Sequence, residues 1–352
     1  EMSASLVGSE MCIRDRSIDL TKLALEVTLT EGANISPDPA RVMDYSHPQK
    51  FTVTSEDGNW HKEYSVIIDT FDLPLRYDFE HYELNETGKY QVFFEETQGT
   101  ALFKQYIWAS GNSGFALTGV GRNPQEYPTV SIENGIDGSR AIKLETKSTG
   151  QFGETVKMPI AAGNLFLGSF DVNNAVQKPL KATRFGLPFG KKPLQLKGYY
   201  KYTPGTQPFK AKDKNGNTVT IPGQEDEGDI YAVLYEAAEL DGKALDGNNV
   251  LTSENIVALA RVEVEKKDEF TAFHVDFHYG SRIPIDWPKF IQDQRDPSDD
   301  GTAPYLSFSE EKMKNYEYNL AVVFTSSKYG AYFAGSVGST LCIDKVEIVC
   351  EK

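Results

Sequence analysis

KYGAYFAGSVGSTLCIDKVEIV, residues 328–349, ends the chain in a pattern that reads as a turn followed by a strand. Gly335-Ser336-Val337-Gly338-Ser339 supplies the turn, because glycine and serine suit tight backbone reversals. Leu341, Ile343, Val346 and Ile348 then give the strand its apolar positions, and Asp344 places a single acid among them. Alternation of this kind marks a half-buried strand.

Working outward, the same reading predicts strands at 91–94, 129–132, 141–146, 194–202, 229–236, 256–265, 271–279, 318–325 and 339–349. Gly, Pro, Asn and Asp clusters such as Gly111-Asn112-Ser113-Gly114 and Lys214-Asn215-Gly216-Asn217 separate them. Helical periodicity is nearly absent apart from 309–315. Many short strands between turns predict a large jelly-roll β-sandwich. Upstream, Leu23, Leu25, Val27 and Leu29 alternate with Lys22, Ala24, Glu26 and Thr28. Residues 51–54 and 64–68 flank the turn Glu56-Asp57-Gly58-Asn59. The expectation is an all-β chain: a small immunoglobulin-like sandwich over 17–70, a linker at 71–77, and the larger jelly roll over 78–352.

At 352 residues the chain is long for a single core. Its formal charge of -15 and the lack of any basic run longer than Lys191-Lys192 or Lys266-Lys267 argue against nucleic acid. No stretch of about 18 apolar residues is present. Cys342 and Cys350 lie eight positions apart on one expected strand. That is roughly 25 Å at ~3.3 Å per residue, so free thiols are expected. Residues 1–16, EMSASLVGSEMCIRDR, show no periodicity and resemble a translated sequencing adaptor. Cys12 therefore reads as part of a non-native or disordered leader. Since the chain starts at Glu1, the expectation is a fragment whose signal segment and outer-membrane lipid anchor lie upstream.

Candidate ligand residues are aromatic. Sugars offer apolar C–H faces on which flat rings stack, while nearby polar groups bind the hydroxyls. Tyr200 and Tyr202 share one face of the strand in FGLPFGKKPLQLKGYYKYTPG, residues 185–205. Trp108 precedes a loop, and Trp287 sits between Pro284 and Pro288 beside Asp286. His274, Asp276 and His278 read as a polar outer strand face. The acid tracts 224–229 and 293–300 read as solvated loops. No G-x-S-x-G elbow, phosphate loop, H-E-x-x-H or dinucleotide fingerprint occurs.

The segment 185–202, the strand GDIYAVLYE at 228–236, and the ending GAYFAGSVGSTLCIDKVEIV at 330–349 together resemble the putative carbohydrate metabolism domain family of Bacteroidetes surface lipoproteins. GANISPDP and FTVTSEDGNWHKEYSV resemble the small immunoglobulin-like modules that precede such domains. The Ile-Asp-x-Val-x-Ile ending also resembles the last strand of jelly-roll carbohydrate-binding modules. Such modules often hold a structural Ca²⁺ between a first-strand glutamate and a last-strand aspartate, which implies Glu80 and Asp344 here. The resemblance implies a cell-surface or extracellular protein with carbohydrate as partner. A non-catalytic glycan binder is the first expectation. The alternatives are a glycoside hydrolase using a carboxylate pair, and a structural or adhesive protein with surface protein partners.

Overall fold

The Asp57-Gly58 turn folds the strand Gln49–Thr54 back onto His61–Val66, with Thr54 opposite His61 and Gln49 opposite Val66. Gly58 takes φ +70°, a backbone region that favours glycine. Asn34–Ser36 adds a third antiparallel strand, and Phe51 and Val53 turn inward. This computed structural model describes residues 25, 27, 29–42, 44, 45, 49–66, 72–97, 103–237, 244–295 and 301–351. Most of the strand expected at 22–29, and all of the leader with Cys12, lies outside the described residues. The chain divides into two compact units, residues 1–72 and 73–352.

The larger unit is a sandwich of two antiparallel sheets. In the first sheet the order is Thr129–Ile132, Ala141–Glu145, Thr340–Cys350, Pro193–Thr203, Lys267–Asp276, and Arg76–Tyr77 also pairs with the closing strand. The second runs Thr183–Phe185, Asn164–Phe170, Tyr318–Thr325, Asp229–Glu236, Ile256–Val262, His278–Tyr279. Trp108–Ala109 and Leu187–Pro188 add short pairings to it. The architecture is the expected all-β arrangement, with a small sheet domain followed by a jelly-roll sandwich.

The closing strand explains its own sequence. Its apolar positions slip by one between Ile343 and Val346, yet Leu341, Ile343, Val346 and Ile348 are all buried. Pairing with Pro193–Thr203 jumps from Lys197 opposite Glu347 to Tyr199 opposite Asp344. Lys345 takes φ +47° at that point. This is a β-bulge, and it restores the inward aim of Val346 and Ile348. Cys342 and Cys350 are both free thiols.

Every residue of Asp229–Glu236 is buried. A strand covered on one side only would alternate, so this one is covered twice. Tyr231, Val233 and Tyr235 belong to a cluster with Phe166, Leu259, Ala321 and Val323. Loop residues Leu245, Leu251, Tyr305 and Trp287 pack over that cluster. Ile230, Ala232 and Leu234 point the other way, toward the first sheet. The outer face of the second sheet is therefore roofed by loops, and among the described residues that roof leaves a cavity.

Candidate functional site

The opening is a cavity of about 200 Å³ on that outer face. Register builds its floor. Phe166 pairs with Val323, Val323 with Tyr231, and Tyr231 with Arg261. One step along, Asn164 pairs with Thr325 and Thr325 with Asp229. Residues two apart on a strand share a face, so all seven face the cavity, and all seven line it. Trp287 and Arg295 come from the segment around the short helix Lys289–Gln292. Tyr332 closes the 3₁₀ turn Gly330–Tyr332. Phe152 stands on the helix Gly150–Thr155, lining the cavity while 42% exposed.

Asp229 is the one carboxylate among the described lining residues. Arg261 grips it with both arms, Nε to Oδ1 at 3.0 Å and Nη2 to Oδ2 at 2.7 Å. Burial works against the Arg261 charge, but Asp229 outweighs it and pushes the guanidinium up. Burial and then Asp229 push the Tyr231 phenol up. Tyr329 is pushed up to about 12, by burial first and then by Glu227, with Asp229 and Asp286 adding and Arg261 opposing. Lys328 Nζ meets Glu227 Oε2 at 2.8 Å.

Beneath this end sits a second carboxylate. Asp226 Oδ2 accepts from Ser327 Oγ at 2.6 Å, Ser336 N at 2.7 Å and Ser339 Oγ at 2.7 Å, while Oδ1 accepts from Glu227 N at 3.0 Å. Burial pushes it up to about 6 although these donors pull the other way. The Gly335–Ser339 run is therefore the cradle of Asp226. A Cβ on Gly335 would come 2.5 Å from Ser327 Oγ, so the turn closes only with glycine there.

Several expected positions fall elsewhere. Trp287 does line the cavity, and Asp286 beside it is exposed. Tyr200 and Tyr202 do share a face, but both are buried against the core and offer no ring to a ligand. Tyr200 packs beside Phe273 at 6.1 Å, and its hydroxyl accepts from Glu265 N. Trp108 is also buried, between Tyr77, Phe79 and Phe324. Its indole donates to Glu95 at 2.8 Å, and burial pushes Glu95 up to about 7. These three aromatic residues fill the sandwich because a large ring at an inward strand position buries the most apolar area there. Asp226 and Asp229, read as a solvated tract, are both buried. His274, Asp276 and His278 are exposed, as read.

Glu80 and Asp344 meet at one loop. Asp344 accepts from Ile136 N at 2.6 Å, Ser139 Oγ at 2.9 Å and Lys345 N at 2.7 Å. Glu80 Oε1 accepts from Arg140 N at 3.0 Å. Both carboxylates staple the turn at 135–140. Among the described residues no group of three or more His, Cys, Asp or Glu side chains is placed to hold a metal ion, so the two acids alone do not complete an oxygen shell.

Residues 78–349 match the model of the putative carbohydrate metabolism domain. The chain belongs to that family. Residues 12–68 match the SGBP N-terminal model. A crystal structure of a putative glycoside hydrolase from Bacteroides thetaiotaomicron is 41% identical, over 96% of this chain and 88% of that one, with a TM-score of 0.71. Another, of a putative glycoside hydrolase from Bacteroides vulgatus, is 34% identical over 80% of this chain and 100% of that one, with a TM-score of 0.63. No curated protein matches the chain. Both solved relatives carry the description of putative glycoside hydrolases, and the family that of a carbohydrate metabolism domain. The expectation of a purely non-catalytic binder is corrected by these two relatives, which favour catalysis. The tyrosines read as a flat binding platform are buried, and the buried carboxylate of Asp229 lines the cavity.

Proposed function

We propose that this chain hydrolyses glycosidic bonds, with the sugar seated in the cavity over the second sheet. The observation that carries the reading is Asp229, fixed on the cavity floor by Arg261 among Phe166, Tyr231 and Trp287. Glycoside hydrolysis uses two carboxylates flanking the scissile bond. Asp229 supplies one. Glu227, which meets the lining residue Lys328, and Asp286, next in the chain to the lining residue Trp287, are the candidates for the other. Phe152 and Trp287 offer rings to stack on a sugar. Tethering by a lipid upstream of the small domain belongs to the same reading, and metabolic labelling of the native gene product with an alkyne fatty acid tests it.

The deciding experiment is reducing-sugar release by the full chain from a panel of plant, host and microbial polysaccharides. Wild type should release sugar from at least one. D229N should lose about 10³-fold or more in kcat/KM, on the order expected when a catalytic carboxylate is removed. E227Q and D286N identify the partner, with circular dichroism checking that each variant is folded. Hydrolysis undiminished in all three variants would sink the assignment, as would a wild type that cleaves nothing on the panel.

A further inference from the structure

We infer that the sugar seated beside Asp229 carries an apolar substituent, an aryl group or an alkyl chain, and that the opposite end of the cavity receives it. The inference rests on the cavity being the glycan site proposed above.

The cavity has two unlike ends. Its charged lining residues, Asp229, Arg261, Arg295 and Lys328, all come from residues 229–328. Each is engaged within the protein: Asp229 with Arg261, Lys328 with Glu227, and Arg295 with Tyr332 and Thr252. Among the described residues, no lining residue between 111 and 182 is charged. Phe115, Phe152, Met158, Phe170, Ala175 and Val176 set the character of that end. The polar side chains lining it are Thr118, Thr149 and Asn164, and all bond to backbone. Thr118 donates to Phe115 O, Thr149 to Met158 O, and Asn164 both donates to Ala162 O and accepts from Gly111 N. A sugar hydroxyl buried there would exchange water for rings, which costs free energy. An apolar group gains by the same move.

Register separates the two ends. Asn164–Phe170 lies two strands from Asp229–Glu236, with Tyr318–Thr325 between them. At about 4.8 Å per strand that is roughly 10 Å, which leaves room for a sugar ring beside Asp229 before the apolar end begins. Gly114 lets the helix Asn112–Ala116 close on that end, since a Cβ there would come 3.1 Å from Phe170 Cζ. The apolar surface then continues to the outside. Phe152 is exposed, and so are Leu117 and Val120, just after that helix. A Cβ on Gly150 would stand 3.0 Å from Val120 Cγ2, which sets Val120 against the start of the helix that carries Phe152. Large apolar side chains gathered in the open mark a surface that something covers. Here that surface is continuous with the glycan site, so the occupant is a group carried by the glycan.

The test uses the full chain and titration calorimetry. The probes are hydrolysis-resistant thioglycosides of glucose, galactose, mannose and xylose, each in nitrophenyl, hexyl and methyl form. For at least one sugar, the nitrophenyl or hexyl form should bind about tenfold or more tightly than the methyl form, the scale of burying a ring or short chain. A nitrophenyl preference identifies an aryl substituent, and a hexyl preference an alkyl chain. A175W, which fills the apolar end, should bring the ratio close to one. V120N, at an exposed position, should lower it, with circular dichroism checking that both variants fold. Equal affinities within every set, or no measurable binding of any form, overturn the inference; polysaccharide hydrolysis that D229N abolishes still leaves the glycan site standing. A preference retained in both A175W and V120N also overturns it. A chain that neither binds a glycoside nor releases sugar from any polysaccharide overturns the inference together with the site beneath it.

Discussion

Replacing Asp226 by Asn tests how the burial of this carboxyl within the Gly335–Ser339 turn sets the stability of the fold. Asp226 is 3% exposed, and burial pushes its carboxyl up to about 6 in the folded chain, against 3.8 for an unperturbed aspartate. The folded state therefore keeps this proton over a range where the unfolded chain has lost it. Stability from this group is complete below about pH 4, falls as pH rises, and levels off above about pH 6. At about 1.36 kcal/mol per pKa unit, a shift of roughly two units amounts to about 3 kcal/mol. Asn does not titrate. The difference in unfolding free energy between wild type and D226N should thus change by about 3 kcal/mol between pH 3.5 and pH 7, moving in favour of the variant. Other raised acids such as Glu95 titrate in both proteins and cancel. Urea unfolding followed by tryptophan fluorescence at pH 3.5, 5 and 7 gives the difference directly. A wild-type-minus-variant gap that stays constant within about 0.5 kcal/mol across that range would refute the argument.

Phe152→Ala should raise KM or Kd for the substrate about two- to tenfold, since a ring contact contributes about 0.5–1.5 kcal/mol. The melting temperature should stay put because the ring is already substantially exposed, and an unchanged KM would remove Phe152 from the site. Asp344→Ala should cost about 2–4 kcal/mol by orphaning Ile136 N and Ser139 Oγ. EDTA should leave the wild-type melting temperature unchanged; a drop with chelator, restored by Ca²⁺, would show that Glu80 and Asp344 hold an ion rather than only the loop.

What could be read in the chain were the strands with clear punctuation. Tyr318–Thr325 and Asp229–Glu236 emerge with the expected bounds, because each is an apolar run between turn residues. Asn164–Phe170, which sits inside the second sheet, was not expected. Its Gly168, at φ +140°, breaks the alternation where the backbone passes the Arg184 carbonyl. The site was harder. Trp287 was legible because a tryptophan between prolines sits in a loop. Asp229 and Arg261 were not, since they are 32 positions apart and meet only through the pairing of two strands. Tyr200 and Tyr202 misled because period two tells which residues share a face, not which face is covered.

Which face is covered is what fixes the site in this fold. Strand Pro193–Thr203 alternates, with Leu196, Gly198, Tyr200 and Tyr202 buried and their neighbours more exposed, so its outer face is wet and its inner face is core. Strand Asp229–Glu236 does not alternate at all. Roofing a sheet face with loops of irregular backbone requires side chains and polar partners along the whole seam. Arg282 shows the need, donating to the carbonyls of Leu251, Ser253 and Ala303 to hold the roof segments together. Where the roof stops, the ladder of Phe166, Val323, Tyr231 and Arg261 is left beside open space, and a charged pair at the end of that ladder is enclosed on most sides. Enclosure strengthens every electrostatic contact made there, which is what separates a place that can act on a sugar from a strip of aromatic rings that can only hold one.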